Sequence, residues 1–295
     1  MVRIPHGQLD LFLASASDVA PKEHQDLMAR NWFSLAKQKR VEPILHTYGD
    51  NWVKITGDPK YGLATIYDND ILLFVISQYM FAVNNGIATG PKFRFTGYDY
   101  FKFTGKKRLG GKGYSDLWKS LERLHHTFVE TNISIDGRQR LHSFNWLHEI
   151  KQMREGNAHR GYEIVIPDWL YKSVVNKKMV LTLDDGYFDI RGGLERWLYM
   201  FARKSSGFQP QGWAESLHSI YLKSGSRNSF VEFKRAVKKI ISKGSILGYT
   251  VEQLDRPSPI KARQTGLYFL RDNELAQLSS TNRKRRGAVP WRDEL

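Results

Sequence analysis

The chain has 295 residues, too many for one small module and too few for three ordinary domains, so length predicts about two. Hydrophobic residues make up 41% and aromatics 13%, which excludes bulk disorder, and the absence of cysteine excludes disulfide scaffolds, cysteine zinc sites, thiol nucleophiles and iron–sulfur clusters. Forty-five basic residues against thirty acidic give a net charge of +15, which points to a polyanionic partner, nucleic acid ahead of an anionic membrane surface.

Residues 1–21 lack periodicity and read as a loose N-terminal arm. Within it, Ala14-Ser15-Ala16 imitates a signal-peptidase site, but Pro5 and Asp10 break the apolar stretch and only Arg3 adds positive charge. The expectation is no secretory signal and a cytoplasmic protein. Residues 21–40 read as a helix with Leu27, Trp32, Leu35 and Ala36 on an approximate apolar face. Two strand-like runs, 43–48 and 52–56, flank the turn Gly49-Asp50-Asn51. The run Ile71 to Val83 is interrupted by Ser77 and Gln78; it falls short of the roughly 20 residues a bilayer needs and reads as a buried helix capped by Asp68 or Asn69. A short aromatic element, 98–103, leads into the Gly/Lys loop 105–113. A helix over 115–129 follows, with Leu117, Leu121, Leu124 and Phe128 on one side and Lys119, Arg123 and His126 on the other. Strands 131–135 and 140–148 flank Asp136-Gly137, the strongest hairpin signal present. A polar stretch, 151–161, precedes a strand at 162–166 and a short helix to residue 175.

The second half repeats this order. Helices are expected at 194–204, 213–223 and 228–243, then strands at 246–254 and 267–271. Both halves read helix, second element, glycine-containing turn, amphipathic helix and two strands, at an offset too long for a solenoid repeat. Helix–turn–helix followed by a hairpin is the winged-helix arrangement. The expected fold is therefore α+β, two tandem winged-helix domains related by internal duplication. The expected boundaries are an arm at 1–21, a first domain at 22–178, a second at 179–275 and a basic tail at 276–295.

The charge is concentrated. Residues 221–295 hold sixteen basic and seven acidic side chains. In the helix expected at 228–243, Phe230, Phe233, Val237, Ile240 and Ile241 form the apolar stripe, while Lys234, Arg235, Lys238, Lys239 and Lys243 take the outer face with Glu232 as the only acid. A solvated helix ordinarily mixes both signs, because opposite charges four residues apart stabilise it by roughly 0.2–0.5 kcal/mol per pair. A face that forgoes this is relieved by a phosphate backbone. Arg227, Asn228 and Ser229 sit at the end of this helix that meets base edges in a helix–turn–helix, where Arg suits guanine and Asn suits adenine. Ser229 or Asn228 also suits a plain cap. The first half offers Lys119, Arg123 and His126 on its helix, with Lys106, Lys107, Arg108 and Lys112 in the loop before it. The expected wings offer Arg138 and Arg140, then Lys261 and Arg263. Arg283-Lys284-Arg285-Arg286 is a cationic tail that adds sequence-independent affinity.

Catalytic signals are missing. The loop 105–113 has the wrong glycine spacing for a phosphate-binding loop, and Gly113 stands where a metal-reaching Ser or Thr belongs. His148-Glu149 begins like a zinc-protease helix, but Gln152 replaces the second histidine. No His-x-His pair exists, His125-His126 diverge around their helix, and Asp184-Asp185 and Asp68/Asp70 suit a turn and a cap. The expectation is a chain without enzymatic activity, metal or cofactor.

FSLAKQKR (33–40), ATIYDNDILLF (64–74), GYSDLWKSLERL (113–124), PDWLY (167–171), LTLDDGYFDI (181–190), GGLERWLY (192–199) and YLKSGS (221–226) resemble the plasmid replication initiator protein A family, in the order that family shows. The resemblance implies two winged-helix domains binding repeated double-stranded sites (iterons) at a plasmid origin, opening of that origin, and partnership with the host initiator and the replicative helicase and its loader. It also implies a homodimer in the absence of DNA. It casts 228–243 as the main reading helix, GYSDLWKSLERL as the first-domain reader and GGLERWLY as a core and interface helix that does not contact DNA. Three alternatives stay open at this point: a winged-helix transcriptional repressor, an origin nickase or nuclease, and an RNA- or single-strand-binding protein using exposed aromatics.

Overall fold

The structure, a computed structural model, describes residues 11–13, 19–48, 50–106, 110–132, 141–156, 158–175, 179–207, 209–256 and 264–272. The chain forms two units: residues 1–25 with 36–188, and residues 26–35 with 189–295. This differs from the break expected between 178 and 179, and hydrogen bonds explain it. In the first unit, strand β10 (residues 180–182) pairs antiparallel with β2 (Lys22–His24), and the Leu183 amide donates to the Pro21 carbonyl. In the second, the Asn31 backbone amide donates to the Lys223 carbonyl and its side chain donates to the Ser224 carbonyl, which draws in 26–35.

The first unit begins with β1 (Leu11–Leu13), which lies inside the arm expected to be loose and pairs parallel with β5 (Lys92–Phe95). Residues 21–40 are not one helix. They hold β2 and the short α1 (Gln25–Ala29), with irregular backbone after it. The sheet overrides the approximate apolar periodicity here: besides pairing with β10, β2 is tied to the core by the Lys22 amide, which donates to Ser77 Oγ. The hairpin β3 (Ile44–Tyr48) and β4 (Asn51–Gly57) forms as expected.

Helix α2 (Asn69–Asn84) is buried nearly all round, as a helix apolar on every side must be. Phe74 sits at the centre of its aromatic surroundings, with ring centroids 5.7, 5.5, 6.0 and 5.2 Å from Phe93, Phe95, Tyr100 and Phe103. Then come α3 (Gly97–Phe103), α4 (Gly111–His126), β6 (Thr127–Thr131), β7 (His142–Asn145), β8 (Glu149–Glu155), β9 (Ala158–Val165) and α5 (Asp168–Val175). Gly97 lets α3 start against α4, since a Cβ there would lie 2.5 Å from the Tyr114 ring.

The second unit contains α6 (Gly193–Ser206), β11 (Trp213–Ser216), α7 (Leu217–Ser224), α8 (Phe230–Ile241), β12 (Tyr249–Arg256) and β13 (Gln264–Arg271). The helix expected at 213–223 is thus a strand followed by a helix. Residues 213–216 pair with β13, and Ser216 caps α7 by accepting from the Ser219 amide. Trp197, Leu198 and Phe201 of α6 are buried, with Phe201 5.4 Å from Phe269 on the sheet.

The two units share one connectivity. The second runs α6-β11-α7-α8-β12-β13 with sheet order β11-β13-β12; the first runs α2-β5-α3-α4-β8-β9 with β5-β9-β8 in the same spatial order. The first unit adds β6 and β7 between α4 and β8, and these pair with β3 and β4 in a separate four-stranded antiparallel sheet. Asp136-Gly137, expected to be the turn of the wing, lies outside the described residues, and the strands on either side of it, β6 and β7, belong to this added sheet. The hairpin that follows α4 in this shared connectivity is β8–β9, which lies largely within the stretch expected to be a polar loop.

Candidate nucleic-acid interface

Helix α8 is built from its amphipathic sequence. Phe233, Val237 and Ile240 are buried, and the Phe233 ring lies 5.2 Å from Tyr221 of α7. Burying side chains of this kind contributes about 1.5–3 kcal/mol each. Ser229 is the N-cap in a reciprocal capping box with Glu232. The Glu232 carboxylate accepts from the Ser229 amide and hydroxyl, both at 3.0 Å, and these bonds hold its pKa below the usual range. The helix's one acid is thus committed to its first turn. Ser229 takes the capping role that the sequence left open.

Around the rest of α8, Arg235, Lys238 and Lys239 are exposed and Lys234 is half-buried. Among the described residues no carboxylate oxygen forms an ion pair within 4.0 Å of these four. Lys243, just past the helix, pairs with Glu195 at 2.8 Å. Arg227 and Asn228 are exposed before the cap, and the Asn228 carbonyl accepts from the Tyr221 hydroxyl at 2.9 Å.

A buried ion pair fixes α7 to the strand before it, β11. Lys223 Nζ is 2.8 Å from Glu215 Oε1, with side chains 4% and 0% exposed. The Glu215 carboxylate also accepts from Ser219 Oγ and Trp213 Nε1. A buried charge pair is tolerable when its remaining lone pairs are satisfied in this way.

The first-unit candidates separate. Lys112 and Lys119 are exposed on α4. Lys106 and Lys112 line one cleft of about 600 Å³ with Tyr100, Phe101 and Leu117. Lys106 lies over the Tyr100 ring and 3.7 Å from the buried Asp70. His126 stacks on Tyr61, centroids 4.2 Å apart. Arg123 does not face out as expected: it forms a two-point ion pair with buried Asp68. Asp68 in turn makes no cap to α2, because its carboxylate also accepts from the Thr65 amide and hydroxyl. Lys107, Arg108, Arg138, Arg140, Lys261, Arg263 and the tail 283–286 lie outside the described residues.

Sequence reasoning missed the β8–β9 hairpin, with Arg154 and Arg160 exposed on it. The signal available was Gly156-Asn157, a hairpin-turn dipeptide; the polar composition of the flanking strands hid it. Its charges are largely matched: Arg160 pairs with Glu155 at 2.8 Å, Lys151 with Glu149 at 2.7 Å, and Arg94 of the neighbouring strand with Glu163 at 2.6 Å. Gln152 lies in strand β8 and His148 just before it, so the zinc-helix pattern has no helix to sit on. Among the described residues no cluster of three His, Asp or Glu suits a metal ion, and no helix is long and apolar enough to cross a membrane.

Comparison with known proteins agrees with this architecture. The chain is 34% identical over 214 residues to a protein of Wigglesworthia glossinidia brevipalpis that carries the name of a replication protein, covering 70% of this chain and 76% of the relative. Crystal structures of domains 2 and 3 of RctB share the fold. One superposes with a TM-score of 0.58 at 12% identity, covering 84% of this chain and 98% of the other; a second gives 0.53 at 13% identity, covering 86% and 99%. The profile of the replication initiator protein A family matches residues 22–251, and the chain belongs to that family.

Proposed function

We propose that this chain is a plasmid replication initiator made of two winged-helix domains, which binds repeated double-stranded sites at an origin and performs no catalysis itself. The observation that carries this reading is the crowding of Lys234, Arg235, Lys238 and Lys239 on one helix, with no carboxylate oxygen within 4.0 Å of any of them among the described residues. Arg123, Lys151, Arg160 and Lys243 each have a carboxylate partner; a phosphate backbone supplies the counter-charge that the four α8 cations lack within ion-pair distance among the described residues. The connectivity common to both units supports winged-helix duplication, with α4 and α8 as corresponding helices.

In this reading α8 lies in a major groove, Lys234, Arg235, Lys238 and Lys239 meet phosphates, and Arg227 and Asn228 meet base edges. The first unit adds Lys112, Lys119 and its β8–β9 wing on the neighbouring backbone. Side-by-side occupation of repeats deforms the DNA and favours melting of an adjacent A·T-rich segment. The host initiator, the replicative helicase with its loader, and a DNA-free homodimer follow from the family resemblance.

Footprinting on DNA flanking the gene, paired with a plasmid carrying that DNA and the gene, tests the reading. It predicts regularly spaced protections and autonomous replication. Protection without replication would make the chain a repressor. Relaxed or covalently trapped DNA after incubation of supercoiled origin with Mg²⁺ would make it an enzyme.

A further inference from the structure

Among the cations of α8 stands a side chain that phosphate binding does not explain. Val231 is 59% exposed. At helical spacing Val231, Arg235 and Lys238 fall on one line (i, i+4, i+7), opposite the buried Phe233, Val237 and Ile240. A β-branched residue exposed in a helix loses rotamer freedom without packing in return, so a purely solvated basic face gains nothing from it. The residue before it in the first turn, Phe230, is apolar and 37% exposed as well. The end is held in place by Phe230 against Tyr221 at 5.4 Å and His218 at 5.5 Å, and by the Tyr221 hydroxyl donating to the Asn228 carbonyl.

We propose that Val231 reads the 5-methyl group of thymine, so that a T·A pair is preferred where the first turn of α8 meets the major groove. This rests on the reading of α8 as a duplex-binding helix and adds a specificity-determining residue to it. The thymine methyl is the one apolar group displayed on base edges in that groove. The cations around Val231 favour DNA over a protein as the occupant, by charge complementarity with phosphate.

The test uses the full chain and a duplex selected by it from a random pool. Each thymine of that duplex is replaced in turn by deoxyuridine, which removes only the methyl group. The proposal expects about a fourfold loss of affinity at one or two positions, the worth of one buried methyl. Val231→Ala should bind the parent duplex with a similar loss and be indifferent to deoxyuridine at those positions; Val231→Ser should behave alike. Val231 is exposed and none of its replacements disturbs the core, which thermal melting verifies. Tolerance of every deoxyuridine by the unsubstituted chain overturns the proposal, as does sensitivity that persists unchanged in Val231→Ala. If the chain selects no duplex at all, the duplex-binding reading itself falls, a result distinct from either of these.

Discussion

The Arg123 guanidinium grips the Asp68 carboxylate at two points, Nε to Oδ2 at 2.7 Å and Nη2 to Oδ1 at 2.6 Å. This pair ties α4 to the turn that opens α2, where Asp68 is 2% exposed. Arg123→Ala leaves that carboxylate buried with only Thr65 as donor, and should cost on the order of 2–4 kcal/mol in urea unfolding. The salt dependence of DNA binding should stay unchanged by the same substitution. A lowered salt slope with unaltered stability would return Arg123 to the DNA surface.

The buried acid of β2 makes stability depend on pH. Burial pushes the Glu23 carboxyl up from 4.5 to about 7, against the opposing pull of hydrogen bonds from Asn69 and the His24 amide. The folded chain keeps this proton where the unfolded chain has lost it. The contribution to stability is therefore complete below about pH 4.5 and is lost as pH climbs towards 7, a difference on the order of 3 kcal/mol. Glu23→Gln should flatten this part of the profile, read as melting temperatures at pH 5 and pH 8 for both proteins. Parallel profiles would contradict the assignment.

The Lys223–Glu215 pair predicts non-additive substitutions. Lys223→Met alone strands the fully buried Glu215 and should destabilise by about 3–5 kcal/mol, while adding Glu215→Gln should recover a large part of that loss. Chemical denaturation of the two single variants and the double variant closes the cycle. Additive losses would mean that the two charges do not act as a unit.

At the reading end of α8, Arg227→Ala should lower affinity for the selected duplex by about 1–3 kcal/mol and relax preference at one base pair. Selection on random duplexes before and after the substitution shows this directly. An unaltered preference would remove Arg227 from base recognition.

Much of this was legible in the chain, for reasons that particular residues show. Helices α2, α4, α6 and α8 have apolar patterns that packing reinforces, so composition and periodicity located them. The strand β11 was not legible: Trp213-Ala214-Glu215-Ser216 fits a helix locally, and its pairing with β13, fifty or more positions away, decided otherwise. Strand β8 carries Ile150 and Met153 as its only apolar residues, too few for a period-2 signal. The Asp136-Gly137 signal misled because a local turn signal does not say which sheet the strands on either side of it will join. At the candidate site, the outward charges of α8 followed from spacing alone. The internal use of Arg123 did not, since its partner Asp68 lies 55 residues away in sequence and only the fold brings them together.

The proposal rests on the basic face of α8, and the salt dependence of Lys238→Ala tests it most sharply. If Lys238 meets a phosphate, the substitution weakens binding about equally on selected and random duplexes and lowers the slope of log K against log salt by roughly one unit. A slope identical to that of the unsubstituted chain on both duplexes would show that nucleic acid does not lie against this helix.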